Sequence, residues 1–337
     1  MASLNDSLGE FDLIKRFFKR DLPLNPLVTL GVGDDCALLE NLPSTSNWAI
    51  STDMLVEGRH FLAHADPYLL GHKCLAVNLS DLAAMGAKPI GFTLSLALPH
   101  ANADWLEPFS KGLLSLADEH GCALIGGDTT AGPLTINITI FGEVPKEKAL
   151  KRSNAKIGDD IWVSHTVGDA RLALGALRQE WSLPSEELAL VTPRMHAPTP
   201  RVALGQHLLG HAHAAIDISD GLLGDLAHIL KQSNVSADIN IDDVPASEIL
   251  QSKSVELRRL CTLMGGDDYE LCFTAPSSEV SYISQVSEKL NLKLTQIGKV
   301  TEAKANANQL ITLIDQEGQQ LSPNLASQYL KSFDHFK

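Results

Sequence analysis

The sequence predicts an α/β protein of two domains, and three observations support this fold class. The 337 residues are enough for two domains of ordinary size, and 44% of them are hydrophobic, so each domain can bury a core. Apolar, β-branched runs alternate with helical patterns along the chain. The charged segment 145–160 interrupts this alternation and contains few apolar residues. We therefore expect domains at 1–147 and 148–337.

The first domain is expected to alternate strands and helices. An amphipathic helix over 8–20 precedes a glycine turn over 31–35 and a short strand over 48–53 that ends in polar residues. A long helix over 67–86 ends at Gly86, because glycine terminates helices and Pro89 cannot continue one. The other predicted elements are a strand over 90–98, a helix over 104–120, a strand over 122–125 that ends in a turn at 126–130, and a strand over 134–144.

The second domain is expected to contain a mixed sheet with helices. Prolines make the stretch 181–200 read as irregular. The predicted strands are 161–164, 214–218, 237–241, 269–274, 294–300 and 310–314, and the predicted helices are 169–179, 200–209, 221–232 and 279–290.

Composition excludes several classes of partner. The net charge is −14, which disfavours binding to nucleic acid or to anionic membrane surfaces. None of the five cysteines forms a C-x-x-C pair, so they are interpreted as reduced thiols of a protein core. No apolar run is long enough to span a bilayer, and the first residues do not resemble a signal peptide. We therefore expect a cytoplasmic protein without nucleic-acid or membrane partners.

Asp81 is the residue that most needs an explanation. It lies in a predicted helix, and Val77, Ala84 and Met85 are its neighbours one turn away on the same face. A carboxylate on an apolar face loses hydration, which a partner has to compensate. A buried arginine, a backbone cap or a divalent cation would each serve, and Asp81 alone does not decide between them.

Five short stretches carry acids in similar settings. They are GVGDD (31–35), STD (51–53), NLSD (78–81), GGDTT (126–130) and DISDG (217–221). Each one alone is compatible with an ordinary turn, because Gly and Asp are common turn residues. Together they follow strand-like runs or lie within an apolar helix, so their carboxylates would converge at one edge of a sheet. Carboxylates with Ser and Thr hydroxyls suit Mg²⁺, which commonly shares phosphate ligands, so the pattern favours phosphoryl transfer.

The familiar phosphate-binding signatures are missing from the chain. It has no G-x-x-x-x-G-K-[ST] motif and no H-R-D motif with a D-F-G partner. The candidate phosphate contacts are therefore the glycine turns and the basic pair Lys151 and Arg152. Without other information, the pair fits the charge of a solvated linker better than a phosphate contact.

Six motifs, in their order along the chain, resemble the thiamine-monophosphate kinase family of the aminoimidazole ribonucleotide synthetase-like superfamily. They are GVGDDCALL, STDMLVEGRHF, AVNLSDLAAMGA, LIGGDTT, AIDISDGL and GGDDYELCFT. The resemblance implies an N-terminal α/β domain that binds ATP and metal and forms the dimer sheet, and a C-terminal mixed-sheet α/β domain that completes the active site. It also implies a homodimer that transfers the γ-phosphoryl of ATP to thiamine monophosphate, giving thiamine diphosphate.

The resemblance also assigns roles to individual residues. It implies ligands for several Mg²⁺ ions at Asp35, Ser51, Thr52, Asp53, Asp81, Asp128, Asp217 and Asp220, of which Asp53, Asp81 and Asp217 are expected to be catalytic. It implies ATP contacts at Gly127, Asp128, Arg152 and Ser219, and substrate contacts at His60, Asp267 and Phe333. The family usually has Glu where Asp267 stands, and Tyr or Trp where Phe333 stands, so the thiamine contacts are the part of the site that differs.

The expected mechanism is a direct in-line transfer. The acceptor is a phosphate monoester whose second pKa is about 6, so its nucleophilic oxygen is already ionised at pH 7. The barrier is then the repulsion between two anions, which bound metal offsets. Two alternatives remain open: another ATP-dependent synthetase of the same superfamily, and a non-catalytic nucleotide- or metal-binding module.

Overall fold

The computed structural model describes residues 9–20, 25–32, 36–304 and 310–330. Its contacts define two units, the first comprising Met1–Leu82 with Lys88–Lys146 and the second comprising Ala83–Ala87 with Glu147–Lys337. The division falls inside the charged segment that suggested a domain boundary. Only the short segment Ala83–Ala87, at the end of the long helix, is grouped with the second unit.

The first unit is built around one four-stranded sheet. Its described elements are α1 (Glu10–Leu13), continued by a π-helical turn at Ile14–Phe18, β1 (Val28–Leu30), β2 (Leu38–Leu39), β3 (Ser46–Val56), α2 (Pro67–Met85), β4 (Lys88–Leu98), α3 (Ala103–Glu119), β5 (Ala123–Ala131) and β6 (Thr135–Pro145). The sheet has the strand order β3-β6-β4-β5, and only the pair β4–β5 is parallel. Strands β1 and β2 form a separate two-stranded ribbon.

The two faces of the four-stranded sheet differ in polarity. Burial alternates along β6, and buried Ile138 lies opposite Asp53 in the register. On the other face, β3 leaves large apolar side chains in solvent, since Ile50 is 61% and Met54 55% exposed. One face therefore belongs to the core of the unit, and the other faces solvent with exposed apolar side chains along β3.

The second unit contains a six-stranded mixed sheet. Its described elements are β7 (Asp160–Ser164), α4 (Asp169–Leu177), α5 (Ser185–His196), α6 (Val202–Leu208), β8 (Ala214–Asp217), α7 (Leu222–Ser233), β9 (Ser236–Asn240), α8 (Glu248–Gln251), α9 (Val255–Met264), β10 (Leu271–Ala275), α10 (Val280–Leu290), β11 (Leu294–Thr301), β12 (Ile311–Ile314) and α11 (Pro323–Tyr329). The strand order is β12-β9-β11-β7-β10-β8, and only β12–β9 is parallel. The apolar side of α7 packs in the core of this unit through Leu222, Leu226 and Ile229.

Two predictions of local structure are wrong. The GGDTT segment is part of β5 and not a turn, because its residues pair in parallel with residues 93–97 of β4. The stretch 181–200 is not irregular, since it contains α5, which begins after Pro184 and accommodates Pro193 near its end. Helices α8, α9 and α11 were not predicted. Within the described ranges, no helix combines the length and apolar character needed to cross a bilayer.

Candidate active site

The paired side chains of Ser51 and Asp81 form the first part of the candidate site. Ser51 lies in the middle of β3, and its hydroxyl donates a hydrogen bond to Oδ2 of Asp81 on α2. Alternation along the strand places Asp53 on the same face as Ser51. The STD segment is thus inside a strand and not at its end, and it contributes a hydroxyl and a carboxylate to the face that Asp81 approaches.

Asp81 is half-buried among residues that solvent scarcely reaches. Leu82 is 1% exposed, and Asn78, one turn earlier on the helix, is 0% exposed. The amide nitrogen of Asn78 donates to the carbonyl of Cys74 at 3.0 Å, whereas its Oδ1 atom has no hydrogen-bond partner in the described structure. An unpaired buried oxygen one turn from a carboxylate suits the approach of a cation, because buried polar atoms normally have a partner.

Thr52 faces the other way from its two neighbours. Its hydroxyl lies 3.0 Å from the hydroxyl of Thr139 and donates to the carbonyl of Ile138 at 3.1 Å. The structure therefore does not bring the Thr52 side chain to Ser51 and Asp81. A metal bound on the Asp81 side would have to use the main-chain carbonyl of Thr52.

Gly127 and Asp128 lie in β5, at the opposite edge of the same sheet. Gly127 has φ of 151°, and a Cβ atom there would lie 1.9 Å from the Leu94 carbonyl oxygen, so this position requires glycine. In the register, Asp53 on β3 and Gly127 on β5 stand in the same row. Three strand spacings of about 4.8 Å separate Asp53 from Gly127, so the two residues lie about 14 Å apart. The structure therefore does not bring Asp53 and Asp128 of one chain together.

His60 is oriented by the main chain of its own loop. The Val56 N–H donates to His60 Nδ1 at 3.0 Å, so the proton of the neutral ring is on Nε2, which can donate to a phosphate oxygen. The same loop contributes Phe61 to an apolar pocket of about 260 Å³, whose walls include Trp105 and Leu98. The loop thus combines a hydrogen-bond donor with an aromatic pocket.

The acidic loop, residues 217–221 between β8 and α7, is the main candidate site in the second unit. Asp217 is buried at the end of β8, and Asp220 is half-buried. Burial, followed by the nearby Asp217 carboxylate, raises the pKa of Asp225 on α7 to about 8. Asp225 accepts hydrogen bonds from main-chain N–H groups of this loop, and sequence analysis did not identify it. The Asp225 carboxylate is therefore engaged by the loop main chain, which leaves Asp217 and Asp220 as the acids of this loop that could contact a cation.

The loop before β10 carries Asp267 in an unusual backbone conformation. Asp267 has φ of 65° and Tyr269 has φ of 51°, both in the left-handed region. The Asp267 N–H donates to the Ser219 carbonyl at 2.9 Å, and the Tyr269 hydroxyl donates to Asp267 Oδ1 at 3.1 Å. Aspartate adopts left-handed conformations more readily than most residues, which is compatible with Asp where the family usually has Glu. The loops of the predicted ATP and substrate contacts are thus joined directly.

Two further buried acids in this region were missed by sequence analysis. Glu270 is fully buried, and its carboxylate accepts hydrogen bonds from Arg194 at 2.6 Å and from Arg201 at 2.6 and 2.7 Å. Both carboxylate oxygens of Asp268 accept the Gly168 N–H at 2.9 Å, and burial raises the pKa of Asp268 well above its ordinary value. These buried acids anchor the Asp267 loop, residues 265–270, through their hydrogen bonds, and they are not accessible to solvent.

Arg152 lies at the far end of α7 from the acidic loop. Its carbonyl accepts a hydrogen bond at 2.8 Å from Ser233, the last residue of α7. The 12 residues of α7 place the two ends of the helix about 17 Å apart. Arg152 and Ser219 are therefore not neighbours, and they would contact different parts of a nucleotide.

Two predicted site residues, Asp35 and Phe333, lie outside the described residues. Among the residues that are described, no three His, Cys, Asp or Glu side chains are arranged to hold a metal ion by themselves. The available donors are carboxylate, hydroxyl and amide oxygens in small groups. This set fits Mg²⁺, which keeps water ligands and uses one or two carboxylates together with substrate phosphates, better than a closed zinc site.

Comparison with protein families identifies the class to which both units belong. The sequence model for the N-terminal domain of AIR synthase related proteins matches residues 33–144, and the model for the C-terminal domain matches residues 156–310. The two-domain fold with its acidic strand and helix ends is therefore that of the AIR synthase related proteins. The predicted fold class is confirmed.

Individual relatives narrow this class. The thiamine-monophosphate kinase of Haemophilus influenzae is 41% identical over 332 residues, which cover 98% of this chain and 99% of the relative. The crystal structure of thiamine-monophosphate kinase from Stenotrophomonas maltophilia is 43% identical with a TM-score of 0.80, covering 88% of this chain and 93% of that one. A structure of AaThiL complexed with AMPPCP and TMP is 30% identical with a TM-score of 0.72, covering 87% and 90%. The chain belongs to the thiamine-monophosphate kinase family, as its motifs predicted.

Proposed function

We propose that this chain transfers the γ-phosphoryl group of ATP to thiamine monophosphate in a Mg²⁺-dependent reaction that yields thiamine diphosphate and ADP. Family membership and the related structure complexed with AMPPCP and TMP support a nucleotide and a phosphorylated acceptor. The observation on this chain that carries the proposal is the Ser51–Asp81 pair beside Asp53. It supports the proposal because oxygen-bearing side chains of the kind that a hard cation prefers lie on one face of the sheet.

The proposed Mg²⁺ ligands fall into one set in each unit. They are Ser51, Asp53 and Asp81 with the Thr52 carbonyl in the first unit, and Asp217 and Asp220 in the second, with Asp35 added on the resemblance alone. Bound Mg²⁺ would offset the negative charge that accumulates as two phosphate groups approach. Gly127, Asp128, Arg152 and Ser219 are the proposed nucleotide contacts.

The acceptor side of the proposal depends on His60. Its Nε2–H would donate to the acceptor phosphate, while Asp267 and Phe333 are proposed to contact the thiamine. Because the acceptor oxygen is ionised at neutral pH, no general base is required. We propose direct in-line transfer. Inversion of configuration at a chiral γ-phosphorus is the expected outcome, and net retention would contradict it.

We further propose that the protein is a homodimer in which the first-unit sheets of two copies join through their edge strands. Within the described residues, β3 and β5 are edge strands without an outer neighbour, and β3 exposes Ile50 and Met54. Unpaired edges beside an apolar surface are typical of an interface. Two oxygens on one Mg²⁺ lie at most about 4 Å apart, so Asp53 cannot share an ion with Asp128 of its own chain. Asp128 of the partner subunit would supply that ligand.

The proposed compartment is the cytoplasm. All five cysteines are free thiols in the structure; four of them are buried, and Cys36 is exposed, so the interpretation of the cysteines as core thiols is wrong for Cys36. Unpaired cysteines are typical of proteins in a reducing compartment. ATP and thiamine monophosphate are the proposed partners.

The experiment that tests the proposal is ADP release with a panel of acceptors. Thiamine monophosphate should support turnover, whereas formylglycinamidine ribonucleotide and selenide, acceptors for sibling synthetases, should not. Turnover with a sibling's acceptor alone would establish that alternative. Nucleotide binding without ADP release from any acceptor would identify a non-catalytic binding module.

A further inference from the structure

Asp225 collects three consecutive main-chain N–H groups of the acidic loop. Its Oδ2 atom accepts hydrogen bonds from Ser219 at 3.0 Å and from Asp220 and Gly221 at 3.1 Å. Asp225 is 3% exposed, so the accepting carboxylate is shielded from solvent. The Asp225 N–H in turn donates to the Gly221 carbonyl at 2.9 Å, which fixes the acid at the start of α7.

The carbonyl side of the same loop is occupied by the Asp267 loop. The Ser219 carbonyl accepts the Asp267 N–H at 2.9 Å, and the Ile218 carbonyl accepts the Tyr269 N–H at 2.8 Å. A Cβ atom at Gly266 would lie 2.3 Å from the Ser219 carbonyl oxygen, so the two loops are in direct contact. The main-chain groups of Ser219 are therefore used on both sides.

This arrangement decides what the acidic loop can offer a ligand. A loop that precedes a helix commonly presents its N–H groups to a phosphate. Here the N–H groups of Ser219, Asp220 and Gly221 are already bonded to an internal carboxylate. The loop is left with its side chains, which are the carboxylates of Asp217 and Asp220 and the Ser219 hydroxyl, and carboxylates with hydroxyls are cation ligands.

We propose that Asp225 is a positioning residue that makes the acidic loop a cation site and prevents it from acting as a phosphate cradle. By accepting hydrogen bonds from the main chain of the loop, it fixes the positions of the Asp217 and Asp220 carboxylates. The inference rests on the proposed function and identifies the residue that positions the Mg²⁺ ligands proposed in the second unit. Removing the acceptor leaves three N–H groups without this partner, two of them partly buried and that of Gly221 buried, a state that costs enough free energy to rearrange the loop.

Hydrogen exchange on the metal-free protein tests the loop without any need for catalysis. Asp225→Asn keeps a carbonyl oxygen in place, whereas Asp225→Leu has a similar size and no acceptor. We expect the amide protons of residues 219–221 to exchange at least about tenfold faster in Asp225→Leu and near the wild-type rate in Asp225→Asn. Asp160→Leu is the matched control, because Asp160 is a buried acid whose partners are Gln296 and Lys299.

Mn²⁺ binding, followed by electron paramagnetic resonance, gives a second readout. Asp225→Leu should bind Mn²⁺ at least about tenfold more weakly than wild type, Asp225→Asn within about threefold of it, and Asp160→Leu normally despite lower stability. A folded Asp225→Leu protein with wild-type exchange and Mn²⁺ affinity would overturn the inference, and so would an Asp225→Asn protein as defective as Asp225→Leu.

Failure of the inference can be distinguished from failure of the proposed function. An active, Mn²⁺-binding wild type with an unaltered Asp225→Leu variant refutes only the role of Asp225. Absence of ADP release with thiamine monophosphate refutes the proposed function, while the exchange measurement still reports on the loop. If Asp225→Leu does not fold, Asp225→Ser withdraws the acceptor with a shorter side chain and is subject to the same expectations.

Discussion

At the scale of single residues, Asp81 is a half-buried acid whose hydrogen-bond partner is a hydroxyl on the neighbouring strand. Asp81→Asn keeps the size of the side chain and an acceptor for Ser51 but removes the negative charge. We expect kcat to fall by about 100-fold or more, with a thermal midpoint close to that of wild type, because the charge acts on bound metal and not on packing. ADP release and thermal unfolding measure the two effects.

The matched control is Glu119→Gln, which removes an exposed acid from α3. That variant should keep wild-type turnover. Normal Mg²⁺-dependent turnover of Asp81→Asn would remove Asp81 from the proposed mechanism.

Asp268 supplies a pH-dependent prediction about stability. Burial raises its pKa in the folded protein, whereas the unfolded chain ionises near the ordinary value of about 3.9. The folded state therefore binds more protons above that pH, so this contribution is fully present below about pH 4 and is lost as the pH rises through the folded pKa. Asp268→Asn still accepts the Gly168 N–H and carries no charge, so its free energy of unfolding should fall less with rising pH.

Urea unfolding in EDTA at a series of pH values above 4 checks this sign. Identical pH dependence in Asp268→Asn and wild type would show that Asp268 ionises equally in the folded and unfolded states.

At the scale of single elements, β5 depends on one glycine. A Cβ atom at Gly127 would lie 1.9 Å from the Leu94 carbonyl oxygen of β4, whereas one at Gly126 would have only a Thr93 methyl group 3.9 Å away. We expect Gly127→Ala to lower the free energy of unfolding by about 3 kcal/mol or more, and Gly126→Ala by less than about 1 kcal/mol. Denaturant unfolding compares the pair, and equal effects would refute the close approach of β4 and β5.

Four elements, α2, β6, β5 and α5, show why part of the fold was predictable and part was not. The long helix α2 was predicted from its alanine and leucine content and from Gly86 and Pro89 at its end, and β6 was predicted from the alternation of its apolar residues. The GGDTT segment has turn composition, but parallel pairing with β4 overrides that local preference. Helix α5 was missed because Pro184 and Pro193 suggested breaks, although Pro184 precedes the helix and Pro193 is close to its end.

The site was predictable to the extent that its acids stand in apolar surroundings. Asp81 was singled out on that signal, and Asp225, on the apolar face of α7, carries the same signal without having been identified. What the sequence could not supply was the partner of each acid. The three N–H groups at Asp225 depend on the turn into α7, and the arginines at Glu270 lie 76 and 69 residues earlier in the chain.

At the scale of the whole molecule, the first-unit sheet separates Asp53 and Asp128 on opposite edges, and together with the proposed homodimer this predicts complementation between chains. Asp53→Asn and Asp128→Asn homodimers should each be nearly inactive. Mixed dimers of the two should recover up to about half of wild-type activity, because one of the two sites then has Asp53 together with Asp128 of the partner subunit. ADP release from doubly tagged, purified heterodimers measures the recovery.

The control for this experiment pairs Asp53→Asn with Asp81→Asn, two residues that the sheet places on the same side of one chain. Those mixed dimers should remain inactive. Inactive mixed dimers of Asp53→Asn with Asp128→Asn would show that each chain builds its site alone.

The central claim is that these acids hold Mg²⁺ so that ATP can phosphorylate a second phosphate group. Its most direct measurement is product formation from ATP and thiamine monophosphate, with ADP and thiamine diphosphate quantified across a Mg²⁺ titration and in EDTA. We expect equal amounts of ADP and thiamine diphosphate, rising with Mg²⁺ and absent in EDTA. Thiamine diphosphate formed at full rate in EDTA would contradict the claim, and so would ADP release that is not accompanied by thiamine diphosphate.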